Sequence, residues 1–305
     1  MSEDIIIPKR VTIETIFGCN AHCIMCPINL PTQRKKMVMP YDDFLTIIDK
    51  LEAHKTKFEM MDLFGLGEPL LDPHIFKRIS HLKTRGFKNI GLSTNAQLLT
   101  ENKQKQLLDA GIDTVIFSVD GLFSETHEAI RQGTTHAVVV RHIEQILNRR
   151  TAGGYKTRFV LRFIRQELNY AEYEGFIEYW KARIESERKD FISIFDAHSW
   201  GGEVTHKNSL LGDKGIDIEI ERKACPIISE ILYILADGTV PLCNEDWHSA
   251  QFKFGNAITG DPISIFNSSR FAKIRKLHAQ GKKTTLDICR ECTVLYSFET
   301  KQTIT

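Results

Sequence analysis

The 305-residue sequence predicts an α/β fold built on a parallel sheet, and three observations point that way. Short strand-like runs alternate with longer amphipathic helical runs through the first two thirds of the chain, the order expected of repeated βα units. Gly86 and Gly111 fall just past the last apolar position of two helical runs, where a residue that tolerates the left-handed conformation ends a helix. The composition is that of an ordinary globular chain, 42 % hydrophobic and 26 % charged with a formal net charge of +1. Such a balance gives no electrostatic pull toward nucleic acid or a membrane surface, so partners have to be argued from individual sites.

Taken in order, strands are predicted at Val11–Thr15, Lys57–Phe64, Asn89–Ser93, Thr114–Val119, Arg158–Ile164 and Phe191–Ala197. Helices are signalled by apolar periodicity at Tyr41–Ala53, Pro73–Arg85, Glu101–Ala110, Thr135–Arg149 and Tyr170–Glu187. In parallel sheets of this type ligands gather at the carboxyl ends of the strands, so functional residues are expected in the βα loops. A Gly-rich polar stretch, Trp200 to Gly215, reads as a connector. Beyond it, Ile231–Leu235 and Thr239–Leu242 flank the Asp237-Gly238 turn as a β-hairpin, and Ser264–His278 has the period of an amphipathic helix. The predicted division is therefore 1–205 and 206–305. No window reaches the roughly 18 apolar residues of a membrane span, and the N-terminus lacks the basic-then-apolar pattern of a leader. A cytoplasmic protein that binds neither membrane nor nucleic acid is expected.

The chemistry is signalled by cysteine. Seven cysteines at metal-like spacings, without a signal peptide, read as metal ligands in a reducing compartment, not as a disulfide framework. Cys19, Cys23 and Cys26 follow the first strand in a C-x3-C-x2-C spacing. Three thiolates can hold three irons of a 4Fe-4S cluster and leave the fourth open, whereas a fully ligated cluster needs four. A zinc knuckle or unrelated buried thiols are the other readings of the triplet. After the second strand stands Gly65-Leu66-Gly67-Glu68-Pro69, where glycines permit close approach to the backbone and the carboxylate can accept from an ammonium group. Ser93-Thr94-Asn95 and Ser118-Val119-Asp120-Gly121 end the next two strands with small polar groups suited to a hydroxyl-bearing ligand such as a ribose. Each of these alone also reads as a turn or a helix cap; their conjunction at strand ends carries the weight.

With these residues in place, the sequence resembles the radical S-adenosylmethionine (SAM) superfamily. The resemblance implies a partial (β/α)6 barrel, with Cys19, Cys23 and Cys26 as cluster ligands and the Gly65–Pro69 stretch, through Gly65, Gly67 and Glu68, at the SAM amino group. Ser93, Asn95, Ser118, Asp120 and Trp200 are the further expected SAM contacts. One departure is that the two glycines before Glu68 are not adjacent, as they are in many members. The stretch Ser118 to Gly133 looks like members that carry a C-terminal auxiliary-cluster domain, and the segments around Cys225, Leu235–Cys243, Phe254–Asn256 and Ile265–Ser268 resemble the SPASM/twitch form. Cys225, Cys243, Cys289 and Cys292 suffice for one fully ligated 4Fe-4S cluster, with structural zinc as the other reading of four thiolates. Thirteen residues without a cysteine follow Cys292, which favours the shorter twitch form, a small hairpin-plus-helix domain with one cluster.

Two 4Fe-4S clusters and SAM are thus the expected cofactors, and they use all seven cysteines. The auxiliary-cysteine spacing resembles that of twitch-bearing aminocyclitol dehydrogenases. With no spare thiol to quench a substrate radical, oxidation of a carbinol in a small polyol, aminocyclitol or sugar is favoured over epimerisation. An external one-electron reductant such as flavodoxin or ferredoxin would be needed. A peptide-modifying enzyme is less favoured, since ten residues precede the first strand and leave no recognition domain, and a non-catalytic iron-sulfur or zinc module predicts no SAM cleavage. Weaker candidates are Arg162, which strand alternation places opposite Leu161 and Phe163, and Arg165 just beyond it. His198 and Trp200 follow the sixth strand, Tyr296 is a conceivable hydrogen-atom donor, and the basic run Arg34-Lys35-Lys36 is either a solvated loop or a contact for an anionic substrate.

Overall fold

Each βα unit predicted in the first two thirds is present. The computed structural model describes residues 5–204, 218–248 and 250–305. Its main sheet contains β1 (Arg10–Ile13), β2 (Met60–Asp62), β3 (Ile90–Thr94), β4 (Thr114–Ser118), β5 (Arg158–Arg165), β6 (Phe191–Asp196), β7 (Ile231–Ile234) and β8 (Gln302–Ile304). The spatial order is β7-β1-β2-β3-β4-β5-β6-β8. Neighbours are parallel except β8, which runs antiparallel to β6. β1 to β6 lie side by side in chain order, the arrangement of an open, partial barrel. All five residues of β4 are buried, as expected where a parallel sheet is covered on both faces.

The longer helices are α1 (Tyr41–Leu51), α2 (Ile75–Thr84), α3 (Glu101–Asp109), α4 (Ser124–Ile130), α5 (His136–Gly153), α6 (Tyr173–Lys181) and α7 (Ser269–Ala279). On α1 the buried residues are Phe44, Ile47, Ile48 and Leu51, one stripe at helical spacing, each worth about 1.5–3 kcal/mol on burial. Gly86 and Gly111 follow α2 and α3 with φ of 81° and 82°, so both predicted stops are left-handed caps. α4 was not among the predicted elements. α6 is shorter than its predicted run, which is broken into a 3-10 turn before it and another at Ser186–Arg188. The predicted helix at Ser264–His278 is split into Pro262–Phe266 and α7 because Ser268 caps the second piece, its Oγ accepting from Phe271 N at 3.4 Å.

The Asp237-Gly238 turn forms, with Gly238 at φ 80° and Leu235 N–H donating to Thr239 O at 2.9 Å. Its two arms, however, pair elsewhere. Ile231–Ile234 joins the main sheet parallel to β1, and Thr239–Val240 pairs antiparallel with Gly255–Asn256. β1 would otherwise be an open edge offering unpaired backbone groups, and β7 covers it with Leu232, Tyr233 and Ile234 buried. The connector at Trp200–Gly215, and with it the division at 205/206, lies largely outside the described residues. Among the described residues no helix is long and apolar enough to cross a membrane.

Candidate active site and cluster-binding loops

After β1 the chain leaves the sheet and returns at Met37–Val38, which pairs antiparallel with Ile16–Phe17 and closes the neck of the loop that carries Cys19, Cys23 and Cys26. Inside this loop His22–Cys23 pairs with Arg131–Gln132, Cys26 N–H donates to Cys23 O at 3.1 Å, and Trp200 Nε1 donates to Met25 O at 2.8 Å. The three sulfurs line one cavity of about 340 Å³ at the carboxyl ends of the strands. Gly65, Gly67, Glu68, Ser93, Asn95, Ser118, Arg162, His198 and Trp200 line the same cavity; Asp120 and Tyr296 do not.

Glu68 is 2 % exposed. One of its oxygens accepts from Leu70 N at 3.0 Å and Thr94 Oγ1 at 2.7 Å, the other from Asn95 N at 2.8 Å. Burial pushes this carboxyl up from its ordinary value while the three donors oppose the shift. A carboxylate has about four acceptor positions, so one remains for a ligand ammonium. The two glycines before it serve backbone packing. A Cβ on Gly65 would lie 2.6 Å from the Glu14 side chain, and one on Gly67 would run into Ile16 O and lie 3.0 Å from Gly18 O. Gly18 and Gly67 form a parallel bridge, and Glu68 N–H donates to Gly18 O at 2.9 Å. Leu66 is buried between them with its N–H on Glu14 Oε2 at 3.2 Å, which accounts for the spacing of the glycines.

Asp120 is fully buried beneath the cavity wall. Its Oδ2 pairs with Arg131 Nη2 at 2.7 Å and its Oδ1 accepts from Ile164 N at 2.6 Å. Arg131 in turn reaches Cys23, with Nη1 3.6 Å from Sγ. The acid thus meets the cluster loop through an arginine, not a ligand directly. Asn95 Nδ2 makes a similar approach to Cys19 Sγ, at 3.8 Å. Arg162 lines the cavity with an unpartnered Nε, and burial lowers its pKa to about 10, so its charge is short of compensation. Arg165 is instead paired with Asp196 at 2.6 Å. His198 Nε2 lies 3.2 Å from Glu245 Oε2, and Trp200 stacks between His198 and Trp247 with ring centroids 5.0 and 6.3 Å away. Tyr296 lies outside the lining, while Tyr233 of β7 is on it, 8 % exposed and edge-on to Trp247. The basic run does not meet the cavity as a patch: Arg34 is partly buried in an ion pair with Glu14, over the Phe17 ring.

Cys225, Cys243, Cys289 and Cys292 line a second, smaller void, with Glu245, His278 and Lys283. Neither the triplet nor this quartet contains a disulfide. His278 bridges two of the cysteines, accepting at Nδ1 from the Cys225 backbone N–H at 3.4 Å with Nε2 3.6 Å from Cys289 Sγ. Burial pushes the thiols up, Cys19 and Cys225 to about 11 and Cys26 and Cys289 to about 12. Such sulfurs become thiolates on binding metal, whose charge replaces the missing solvent. Among the described residues, no three His, Cys, Asp or Glu gather tightly enough to hold a single metal ion. Sulfurs set around a shared void fit a cluster, which distributes its thiolates over several irons. Sequence reasoning missed Arg131 and Tyr233 at the cavity and His278 at the second void, since each reaches its place through packing that no local pattern marks.

Residues 13–162 match the radical SAM superfamily, and residues 225–293 match an iron-sulfur cluster-binding domain of the SPASM type. Among characterised relatives, the chain is 29 % identical over 165 residues to the tungsten-containing aldehyde ferredoxin oxidoreductase cofactor-modifying protein of Pyrococcus furiosus, covering 54 % of this chain and 46 % of that protein. It is 27 % identical over 220 residues to GTP 3',8-cyclase of Staphylococcus haemolyticus, covering 69 % of this chain and 63 % of that one. The chain thus spans less than two thirds of the length of these curated relatives. In fold it is similar to BtrN in complex with AdoMet and 2-DOIA, with a TM-score of 0.63 at 17 % identity over 94 % of this chain and 93 % of BtrN. The two matched domains imply SAM and two 4Fe-4S clusters, and the two cysteine-lined spaces are where the clusters fit.

Proposed function

Because the chain belongs to the radical SAM superfamily and carries a SPASM-type domain, we propose that it is a dehydrogenase that oxidises a carbinol of a small polyol, aminocyclitol or sugar to a ketone. The observation that carries this reading is the distribution of thiols. Three line the cavity, four line the second void, and no further cysteine lines the cavity as a hydrogen donor. When bound, the open cluster and SAM supply a 5'-deoxyadenosyl radical that removes one hydrogen atom. The oxidation then requires the hydroxyl proton and one more electron to leave, and the fully ligated auxiliary cluster is the proposed electron acceptor. Glu68 offers its remaining acceptor to the SAM ammonium, and Ser93, Asn95, Ser118 and Trp200 border the space for the nucleoside. Arg162 is the cavity cation suited to a carboxylate or an ionising hydroxyl. Aromatic walls from Trp200, Tyr233 and Trp247 border the cavity and would shield a reacting carbon from water. The proposed partners are the small-molecule substrate and a flavodoxin- or ferredoxin-like reductant.

A second reading, epimerisation, is supported by Tyr233, which lines the cavity and carries a phenol able to give up a hydrogen atom. Anaerobic turnover of polyols, aminocyclitols and nucleotide sugars in deuterated water separates the two. The dehydrogenase reading predicts ketone and 5'-deoxyadenosine in equal amounts; an isomeric product carrying solvent deuterium, without net oxidation, would sink it.

A further inference from the structure

Glu14 is a buried acid that this chemistry does not use. It follows β1, is 1 % exposed, and is not part of the cavity lining. Its carboxylate gathers donors from three remote segments: the guanidinium of Arg34 in the cluster loop, Leu66 N–H of the Gly65–Pro69 loop at 3.2 Å, and Ala236 N–H just after β7 at 3.1 Å. Its Cβ and Cγ fill the space that a side chain on Gly65 would need. Arg34 also donates to Trp247 O and covers the Phe17 ring at 3.9 Å. Beside it, Thr32 Oγ1 donates to His248 O at 2.9 Å, and His248 Nε2 lies 3.2 Å from Leu30 O. The loop of the first cluster, the loop that carries Glu68 and the turn after β7 therefore meet at one carboxylate, and Arg34 ties the segment that follows Cys243 to it.

We propose that Glu14 is a positioning residue for the SAM site, fixing the Gly65–Pro69 loop against the cluster loop and making that register depend on the seating of the C-terminal region. Charge-assisted hydrogen bonds are short and directional, and removing a buried acceptor leaves each of its donors unpaired. Leu66 N–H and the Glu68 carboxylate are two residues apart, so a shift at the first moves the second. A SAM molecule has to meet the open iron and the Glu68 acceptor together, so a displacement on the order of 1 Å costs affinity without either contact being deleted.

The test uses the full chain, reconstituted anaerobically. Glu14→Gln keeps the volume but replaces one acceptor oxygen with a donor that faces Leu66 N–H, Ala236 N–H or Arg34. Expected are an undiminished iron content, an unchanged spectrum of the reduced clusters without SAM, a SAM Kd raised about tenfold, and an altered electron paramagnetic resonance response to saturating SAM. A Kd within about twofold of the parent with the same spectral response would overturn the proposal. So would SAM binding that falls only in proportion to lost iron, since that is a merely structural role. If the Gln variant does not load iron, Arg34→Lys is read by the same criteria; it keeps a cation beside Glu14 but loses the planar fork whose Nη1 reaches Trp247 O while Nη2 holds Glu14. Glu68→Gln is the control: normal SAM binding by that variant removes the Glu68 assignment, and the proposal falls with it.

Discussion

Replacing Arg131 by Met separates the role found for Asp120 from a direct ligand contact. Asp120 is fully buried, and its Oδ2 has Arg131 as its charged partner at 2.7 Å. Removing one member of a buried pair leaves the other uncompensated, at a cost of about 3–5 kcal/mol. The Ile164 N–H on Oδ1 remains, which places the expected loss near the lower end of that range. Burial already pushes the Asp120 carboxyl up, and Arg131 is the main group holding it down. Without Arg131 the folded-state value rises further above the unfolded one, and a carboxyl with a raised folded value loses stability as pH increases. The Met variant is therefore expected to lose more stability as pH rises above the ordinary aspartate range of about 4. Guanidinium unfolding of the anaerobically reconstituted chain, followed by circular dichroism, measures both effects. The double variant Asp120→Asn/Arg131→Met removes both charges and should recover about 1–3 kcal/mol of the loss. A double variant as unstable as the sum of the single ones would refute the pairing. The Met variant also loses the N–H beside Cys23 Sγ, and the midpoint potential of the first cluster should fall, since hydrogen bonds to ligand sulfur stabilise the reduced state.

Anaerobic reconstitution should load about eight irons per chain, falling to about four when Cys19, Cys23 and Cys26 are replaced by Ala; an intact chain that never exceeds four would contradict two clusters. His127 is fully buried between Asp120 N, 3.4 Å from Nδ1, and Thr134 Oγ1, 3.1 Å from Nε2, and burial pushes its pKa down to about 3. Its folded value lies below the unfolded one, so it favours folding above about pH 6.5 and loses that contribution as pH falls. His127→Gln should therefore lose about 1.4 kcal/mol less stability than the parent between about pH 7.5 and 5.5; parallel pH curves would show that the histidine protonates in place. Tyr233→Phe should leave ketone formation intact while Tyr296→Phe changes nothing at the cavity. Abolition of an isomeric product by the first substitution alone would favour the epimerase reading.

The succession of strands, the left-handed caps at Gly86 and Gly111 and the first cysteine group were legible in the sequence, because each is decided by neighbours a few residues apart, whereas the second group was legible from the cysteine count and the family resemblance. A strand period, a helix stop or a C-x3-C-x2-C loop follows from local backbone geometry and from which side chains one turn can bring together. Glu68, Ser93, Asn95 and Ser118 were legible for a related reason: parallel topology sends every βα loop to the same end of the sheet.

Partnership was not legible. Asp120 looked like a strand-end group for a ligand and is the counter-ion of Arg131; Arg34 looked like part of a solvated basic run and is paired with the buried Glu14. Ile231–Ile234 has the pattern of a hairpin arm and belongs to the main sheet, where it brings Tyr233 to a cavity that Tyr296 does not line. The sequence by itself determined which chemistry this chain can support, since the thiol triplet in the loop after β1 is a local fact and the count of four further cysteines is read directly from the chain. Tertiary packing alone decided which charges compensate each other and which tyrosine meets the cavity. A buried charge pairs with whatever packing places beside it, and Glu14 and Ala236 meet across 222 positions that no local pattern spans.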